Sequence, residues 1–303
     1  RKDWMRLNTF NGGRPMLHGG IMNLQLIVYK KQGLVVSDTP FFSELIEGIQ
    51  REAHRHGLDL TVTYVSDSET DRLNAKLLGG SAADGIILLA TEMQPPDLRP
   101  FQKGKFRLVV LDAHFMDEPV EMVMIDNTQG AYAAVDYLIQ SGHRRIGYLG
   151  GSLRIRNFEE REHGYRMALR HAGIPVDESL LLSVEPTLEG AYRDCAALFA
   201  GGMRLPTAFF ADNDIIAVGA IKALREKGVR IPQEVSLVGF DDMPVCTVVE
   251  PALTTMRVCK RKMGRIAVRR LLESARDDGV FCSTAIHTDL VIRDSVAVCH
   301  EAG

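Results

Sequence analysis

Four short apolar runs in this chain end in carboxylates or carboxamides. Asp112 follows Leu108-Val109-Val110-Leu111, and Asp126-Asn127 follows Met122 to Ile125. Asp212-Asn213-Asp214 follows Ala208-Phe209-Phe210-Ala211, and Asp241-Asp242 follows Ser236 to Phe240. Paired carboxylates accept hydrogen bonds from vicinal hydroxyls, and an asparagine both donates and accepts. Arg161, near the start of a helical segment, adds a multi-pronged donor. Ser37 and Asp38 precede Phe41 and Phe42, either of which can cover the apolar face of a sugar ring or a base. The set suits a neutral, hydroxyl-rich small molecule, because so many acids repel a strongly anionic one. A plainer reading stands beside it. Asp212, Asn213 or Asp214 can cap the helix that begins near Ile215. Asp242 can hold a turn before Pro244, Arg161 can sit in a surface ion pair, and Phe42 can belong to the core.

The elements that would position these groups alternate regularly. Leu24 to Tyr29 reads as a strand, and Phe42, Leu45, Ile46, Ile49 and Ala53 recur at helical period before Gly57. Leu58 to Val65 returns to an extended pattern, and Glu69 to Leu78 reads as a helix. Helices over 129–141, 160–171 and 215–227 each stop near a glycine (Gly142, Gly173, Gly228). Strands are expected at 85–90, 108–111, 122–125, 146–149, 208–211, 235–238 and 286–292. Short apolar strands alternating with helices imply an α/β fold of parallel sheets covered on both faces. Hydrophobic cores divide as chains approach about 300 residues, so two sheets are expected. Asp126-Asn127-Thr128 and Pro251 to Thr255 are candidate crossovers between them. Open sheets of this kind bind ligands beyond the carboxyl ends of their strands, where the polar groups above lie.

The chain has 303 residues, 36 Lys+Arg against 39 Asp+Glu, and a formal charge of -3, which excludes a generally basic nucleic-acid binder. Hydrophobic residues make up 46%, enough for two sizeable cores. Five widely spaced cysteines without a CxxC argue against a disulfide framework or a zinc site and fit a reducing cytosol. No run approaches the roughly 18 apolar residues of a membrane helix. No G-x-G-x-x-G fingerprint, phosphate loop, nucleophile elbow or H-E-x-x-H occurs, so neither an enzyme, a cofactor nor a metal is expected.

The order and spacing of several segments resemble the LacI/GalR family of bacterial transcriptional regulators from about Leu24 to Val298. They are Asp38-Thr39-Pro40-Phe41-Phe42, Asp126 to Ala131, and Gly142-His143-Arg144-Arg145-Ile146-Gly147-Tyr148-Leu149-Gly150-Gly151. Arg161 with Gly164-Tyr165, Ala211 to Asp214, Val238 to Asp242, and Pro251 to Thr255 complete the set. The resemblance implies two Rossmann-like lobes with parallel-rich sheets joined by three crossovers, a periplasmic-binding-protein-like type I core. Its expected division is a linker over 1–22, one lobe of 23–126 plus 256–283, and another of 127–255 plus 284–300. It further implies a cytoplasmic homodimer that senses a sugar or sugar derivative in the interlobe cleft. Operator DNA would be held only through an N-terminal helix-turn-helix domain, which does not precede Leu24 here. By motif, Arg161, Asn213 and Asp241 are the implied polar effector contacts, with Asp112 and the Asp38, Phe41, Phe42 segment lining the cleft.

Two departures from the family pattern stand out. The connection Lys30 to Val36 is several residues longer than usual, and Pro186 occupies a position where relatives often carry an aromatic stacker. The competing reading is a periplasmic sugar-binding protein of an importer, which would be monomeric and exported. A regulator's effector core is the expectation on the motif set.

Overall fold

The structure is a computed structural model that describes residues 21–36, 40–66, 83–274 and 280–299. Asp38 and the helix expected over 69–78 lie outside the described residues, as does almost all of the 1–22 segment.

Strands β1 (Asn23–Lys30), β2 (Asp59–Ser66), β3 (Gly85–Leu89), β4 (Arg107–Leu111) and β5 (Glu121–Ile125) come first. They are followed by β6 (Ile146–Gly151), β7 (Leu181–Val184), β8 (Ala208–Ala211), β9 (Ser236–Asp241) and β10 (Thr254–Arg257). Two short strands, β11 (Ser283–Ile286) and β12 (Asp289–Val291), close the order. The first sheet runs β11-β5-β4-β3-β1-β2, and every pairing in it is parallel. The second runs β12-β10-β9-β8-β6-β7 and is parallel except where β12 meets β10. Strands β3 and β8 are buried at every position, which is why their sequences are unbroken apolar runs rather than alternating ones.

Helices α1 (Pro40–Arg55), α2 (Pro95–Gln102), α3 (Asn127–Gln140), α4 (Arg156–His171), α5 (Leu188–Ala200), α6 (Asp214–Glu226) and α7 (Lys260–Glu273) cover the sheets. They pack in pairs: α1 with α7 on the first lobe, α3 with α4 and α5 with α6 on the second. Glycine sits where the pairs touch. A Cβ on Gly48 would lie 2.2 Å from the Arg261 carbonyl oxygen, and one on Gly164 2.3 Å from that of Thr128. Only the missing side chain permits backbones this close.

The chain passes from the first sheet to the second after Ile125, returns after Arg257, and passes again after Ile286. The first passage falls at Asp126, as expected. The second does not fall at Pro251 to Thr255: Thr254 and Thr255 are already strand β10, and the chain leaves the second sheet two residues later. The 286–292 run is likewise not one strand. Its two ends belong to β11 and β12 in different sheets, with the third passage between them. Boundaries at 255/256 and 283/284 therefore fall inside β10 and β11 respectively. Strand β7 and helix α2 have no counterpart in the sequence reading. Each is short, and Pro95, Pro96 and Pro100 obscure the helical signal of α2.

Candidate functional site

Between the lobes, at the carboxyl ends of β4, β8 and β9, lies a cavity of about 250 Å³. Two of the expected acids reach it through unusual backbone. Asp112, just past β4, has φ 61°, and Asp241, the last residue of β9, has φ 110°. Non-glycine residues take these values at a cost, and such strain concentrates where a side chain must be aimed at a ligand.

Arg161 is the hub of the second-lobe wall and is 3% exposed. Its Nε donates to Asn127 Oδ1 at 2.9 Å, one terminal nitrogen donates to the Asp212 carbonyl, and the other faces Asp241 Oδ1 at 3.4 Å. The guanidinium lies 3.8 Å from the centre of the Phe240 ring. Its orientation is thus set on both edges and one face before any ligand arrives. Burial pushes the Asp241 carboxyl up, while Arg161 and then Lys260 pull it down. Lys260, from α7 of the first lobe, donates to the carbonyl oxygens of both Asp241 and Asp242 and so ties the lobes together there.

Asp112, 1% exposed, accepts from Thr91 Oγ1 at 2.6 Å and from Asn157 Nδ2 at 3.1 Å. The second of these bonds also crosses from lobe to lobe. Burial raises the Asp112 carboxyl to about 6 against the Thr91 hydrogen bond and the field of Arg161. A second crossing contact, His114 Nδ1 to Glu160 Oε1 at 2.8 Å, lies near it.

The Asp212-Asn213-Asp214 triplet divides its labour. Asn213 both caps and lines: its Oδ1 accepts from the Ile216 amide at 2.9 Å, and the residue borders the cavity. With the oxygen committed to the helix, the amide nitrogen is the group left for a ligand. Asp212 does not border the cavity; it accepts from the Tyr148 hydroxyl and from the Gly151 amide at 2.8 Å. Asp214 accepts from Thr255 Oγ1 and, at 2.7 Å, from the Met243 amide, pinning the segment after β9. Burial raises both carboxyls to about 7. Asp242 is paired with Arg257 and Arg293, away from the cavity.

Phe41 and Phe42 open α1, contact each other edge to face at 4.9 Å, and both border the cavity while belonging to the first-lobe core. Arg161, Asn213, Asp241, Asp112, Phe41 and Phe42 therefore come together at one cavity. Pro186 borders it too, presenting a small apolar surface where a ring would stack. Sequence reasoning did not single out Thr91 or Asn157, which also line the cavity; Gly33, Leu34 and Val35, part of the longer connection after β1, line it as well. Asn157, one turn before Arg161 on α4, was within reach of helical spacing. Among the described residues no group of three or more His, Cys, Asp or Glu side chains is placed to hold a metal.

A bilobed core with polar groups at converging strand ends is the periplasmic-binding-protein-like architecture, and residues 135–296, just over half the chain, match the periplasmic binding protein-like domain family. The HTH-type transcriptional repressor PurR of Mannheimia succiniciproducens is 32% identical over 90% of this chain and 83% of its own length. The ribose operon repressor of Haemophilus influenzae is 29% identical over 88% of this chain and 81% of its own. The structure of the transcriptional regulator CelR–cellobiose complex superposes with a TM-score of 0.82 at 27% identity, covering 90% of this chain and 84% of that one. The chain belongs to the LacI/GalR family of transcriptional regulators and carries its effector-sensing and dimerisation core.

Proposed function

We propose that the interlobe cavity binds one small, neutral, sugar-like effector and that its occupancy sets the operator affinity of a helix-turn-helix domain joined to this core in a cytoplasmic homodimer. The observation that carries this reading is the ring of oriented polar groups from both lobes around a single cavity with aromatic and aliphatic walls. Arg161, Asp241, Asn213 and Asp112 supply donors and acceptors, and Phe41, Phe42 and Phe158 supply ring-covering faces. That mixture suits a polyhydroxylated ring, with hydroxyls to the polar groups and C–H faces to the aromatics. The relatives' names support the class: one is a ribose operon repressor and another was solved with cellobiose.

In this reading, coupling to DNA runs through the contacts between the lobes. The lobes meet through Asp112–Asn157, His114–Glu160 and Lys260–Asp241, all at or beside the cavity. A ligand that interacts unequally with two lobe arrangements shifts their populations, and only by that difference. The test is calorimetric titration of the chain with D-ribose, D-glucose and cellobiose, with light scattering for oligomeric state. Binding of a sugar at one site per chain of a dimer supports the reading; failure of all three sugars, or a monomer, contradicts it.

A further inference from the structure

The longer connection after β1 is held by one acid. Glu92, two residues past the end of the Leu88-Leu89-Ala90 run, is 2% exposed and accepts five backbone amides. Lys31, Gln32 and Gly33 donate to Oε2 at 2.9, 2.8 and 2.9 Å, and Val35 and Val36 donate to Oε1 at 2.9 and 2.8 Å. The chain wraps around the carboxylate by taking Gly33 through φ 69°, open to glycine without a Cβ penalty. Lys31 spends its ammonium on Asp97, at 2.8 Å, instead of on Glu92. The buried charge is therefore solvated by peptide dipoles, an anion nest with the protein's own side chain as the anion. Charge-assisted bonds of this kind are about twice as strong as neutral ones.

The loop so held is a wall of the cavity. Gly33, Leu34 and Val35 border it, and Val36 is sealed into the first-lobe core at 1% exposure. The residue before Glu92 is Thr91, which orients Asp112. One turn after β3 thus sets both the acid and the aliphatic surface on that side. We infer that the Lys31–Val36 loop, clamped by Glu92, is the size-determining wall of the effector cavity. Leu34 and Val35 limit the occupant to a single ring with an apolar edge, and Glu92 is the positioning residue that keeps them there. This rests on the sugar reading above for the identity of the ligand but not for the clamp itself.

Glu92→Gln keeps the shape and replaces one acceptor by an NH2 group facing amide donors. Hydrogen exchange on the ligand-free chain should show amides 31–36 exchanging at least tenfold faster in this variant, with β1 and α7 unchanged. Unchanged exchange in that loop overturns the clamp. For the wall, the wild-type chain should bind D-ribose at least tenfold more tightly than cellobiose. In both Glu92→Gln and Leu34→Gly that ratio should fall by tenfold or more, a change of selectivity that general loosening does not produce. If Glu92→Gln fails to fold, Leu34→Gly and Val35→Ala, which leave the nest intact, decide the wall. A wild-type preference for cellobiose, or an unchanged ratio in the trimmed variants, overturns it. If neither sugar binds, the sugar reading falls, while the exchange result still decides the clamp.

Discussion

The two walls of the cleft are built on opposite principles. The second-lobe wall is a mesh of side chains: Arg161 fixed by Asn127, the Asp212 carbonyl, Asp241 and the Phe240 ring. The first-lobe wall is held largely through backbone, by a loop whose amides fold round Glu92, with Asp112 and two phenylalanines completing it. A side-chain mesh fixes where charge sits and so selects functional groups. A backbone nest fixes a surface and so selects shape. Removing a member of either wall should therefore have different consequences.

The largest effect is expected from Arg161→Ala. A ligand oxygen left without its donor in a buried site costs about 1–3 kcal/mol. Arg161 is the buried charged donor of this wall, so sugar affinity should drop by well over tenfold by calorimetry; an unchanged affinity would remove Arg161 from the site. Next comes the helix packing that holds the second wall. Gly164→Val places a side chain against the Thr128 carbonyl between α3 and α4 and should destabilise the chain by about 1–3 kcal/mol in urea. Stability equal to the parent would show that the two helices can separate freely.

Asp112 on the first wall should matter less, and by an amount that depends on pH. Its carboxyl is raised to about 6, so at pH 5 it is mostly neutral and Asp112→Asn resembles it closely. The loss of affinity should be small at pH 5 and grow towards pH 8, where the wild-type group is a carboxylate. A pH-independent loss would contradict this. Stability itself should depend on pH as well. Asp112, Asp212 and Asp214 are raised to about 6, 7 and 7 by burial, above their unfolded value near 3.8. The folded chain then holds more protons than the unfolded one between about pH 4 and 7. Stability should accordingly fall as pH rises through that window and level off above it. Asp212→Asn and Asp214→Asn in the second lobe should each flatten the slope more than Asp112→Asn does. Stability that rises with pH from 5 to 7 would contradict the protonation assigned to these groups.

The same contrast explains what could be read in the sequence. Asp112 and Asp241 stand directly after buried apolar runs and Asn213 one residue further on, and a parallel strand that ends in polar residues delivers them to the ligand face. The capping reading of Asn213 holds, and it does not compete with a place at the cavity, since the amide oxygen caps α6 while the residue still borders the cavity. Asp212 and Asp214 carry the same chemistry but serve the scaffold, and residue type alone does not separate them from Asn213. Glu92 left no signal: its partners are peptide amides 56 to 61 residues earlier, which any sequence could supply. The long connection after β1 was visible as a departure, but the acid that organises it was not. Strand β10 was hidden because Thr254 and Thr255 owe their burial to pairing between β9 and β12, a non-local fact.

A crystal of the chain grown with whichever of D-ribose, D-glucose or cellobiose binds most tightly would put both walls on view at once. The expected electron density lies between the lobes, with hydroxyls on Arg161, Asp241 and Asn213 from one side and Asp112 from the other, and Leu34 and Val35 against an apolar edge. Density for the sugar elsewhere on the molecule, or held by one lobe alone, would contradict a shared sensing cavity.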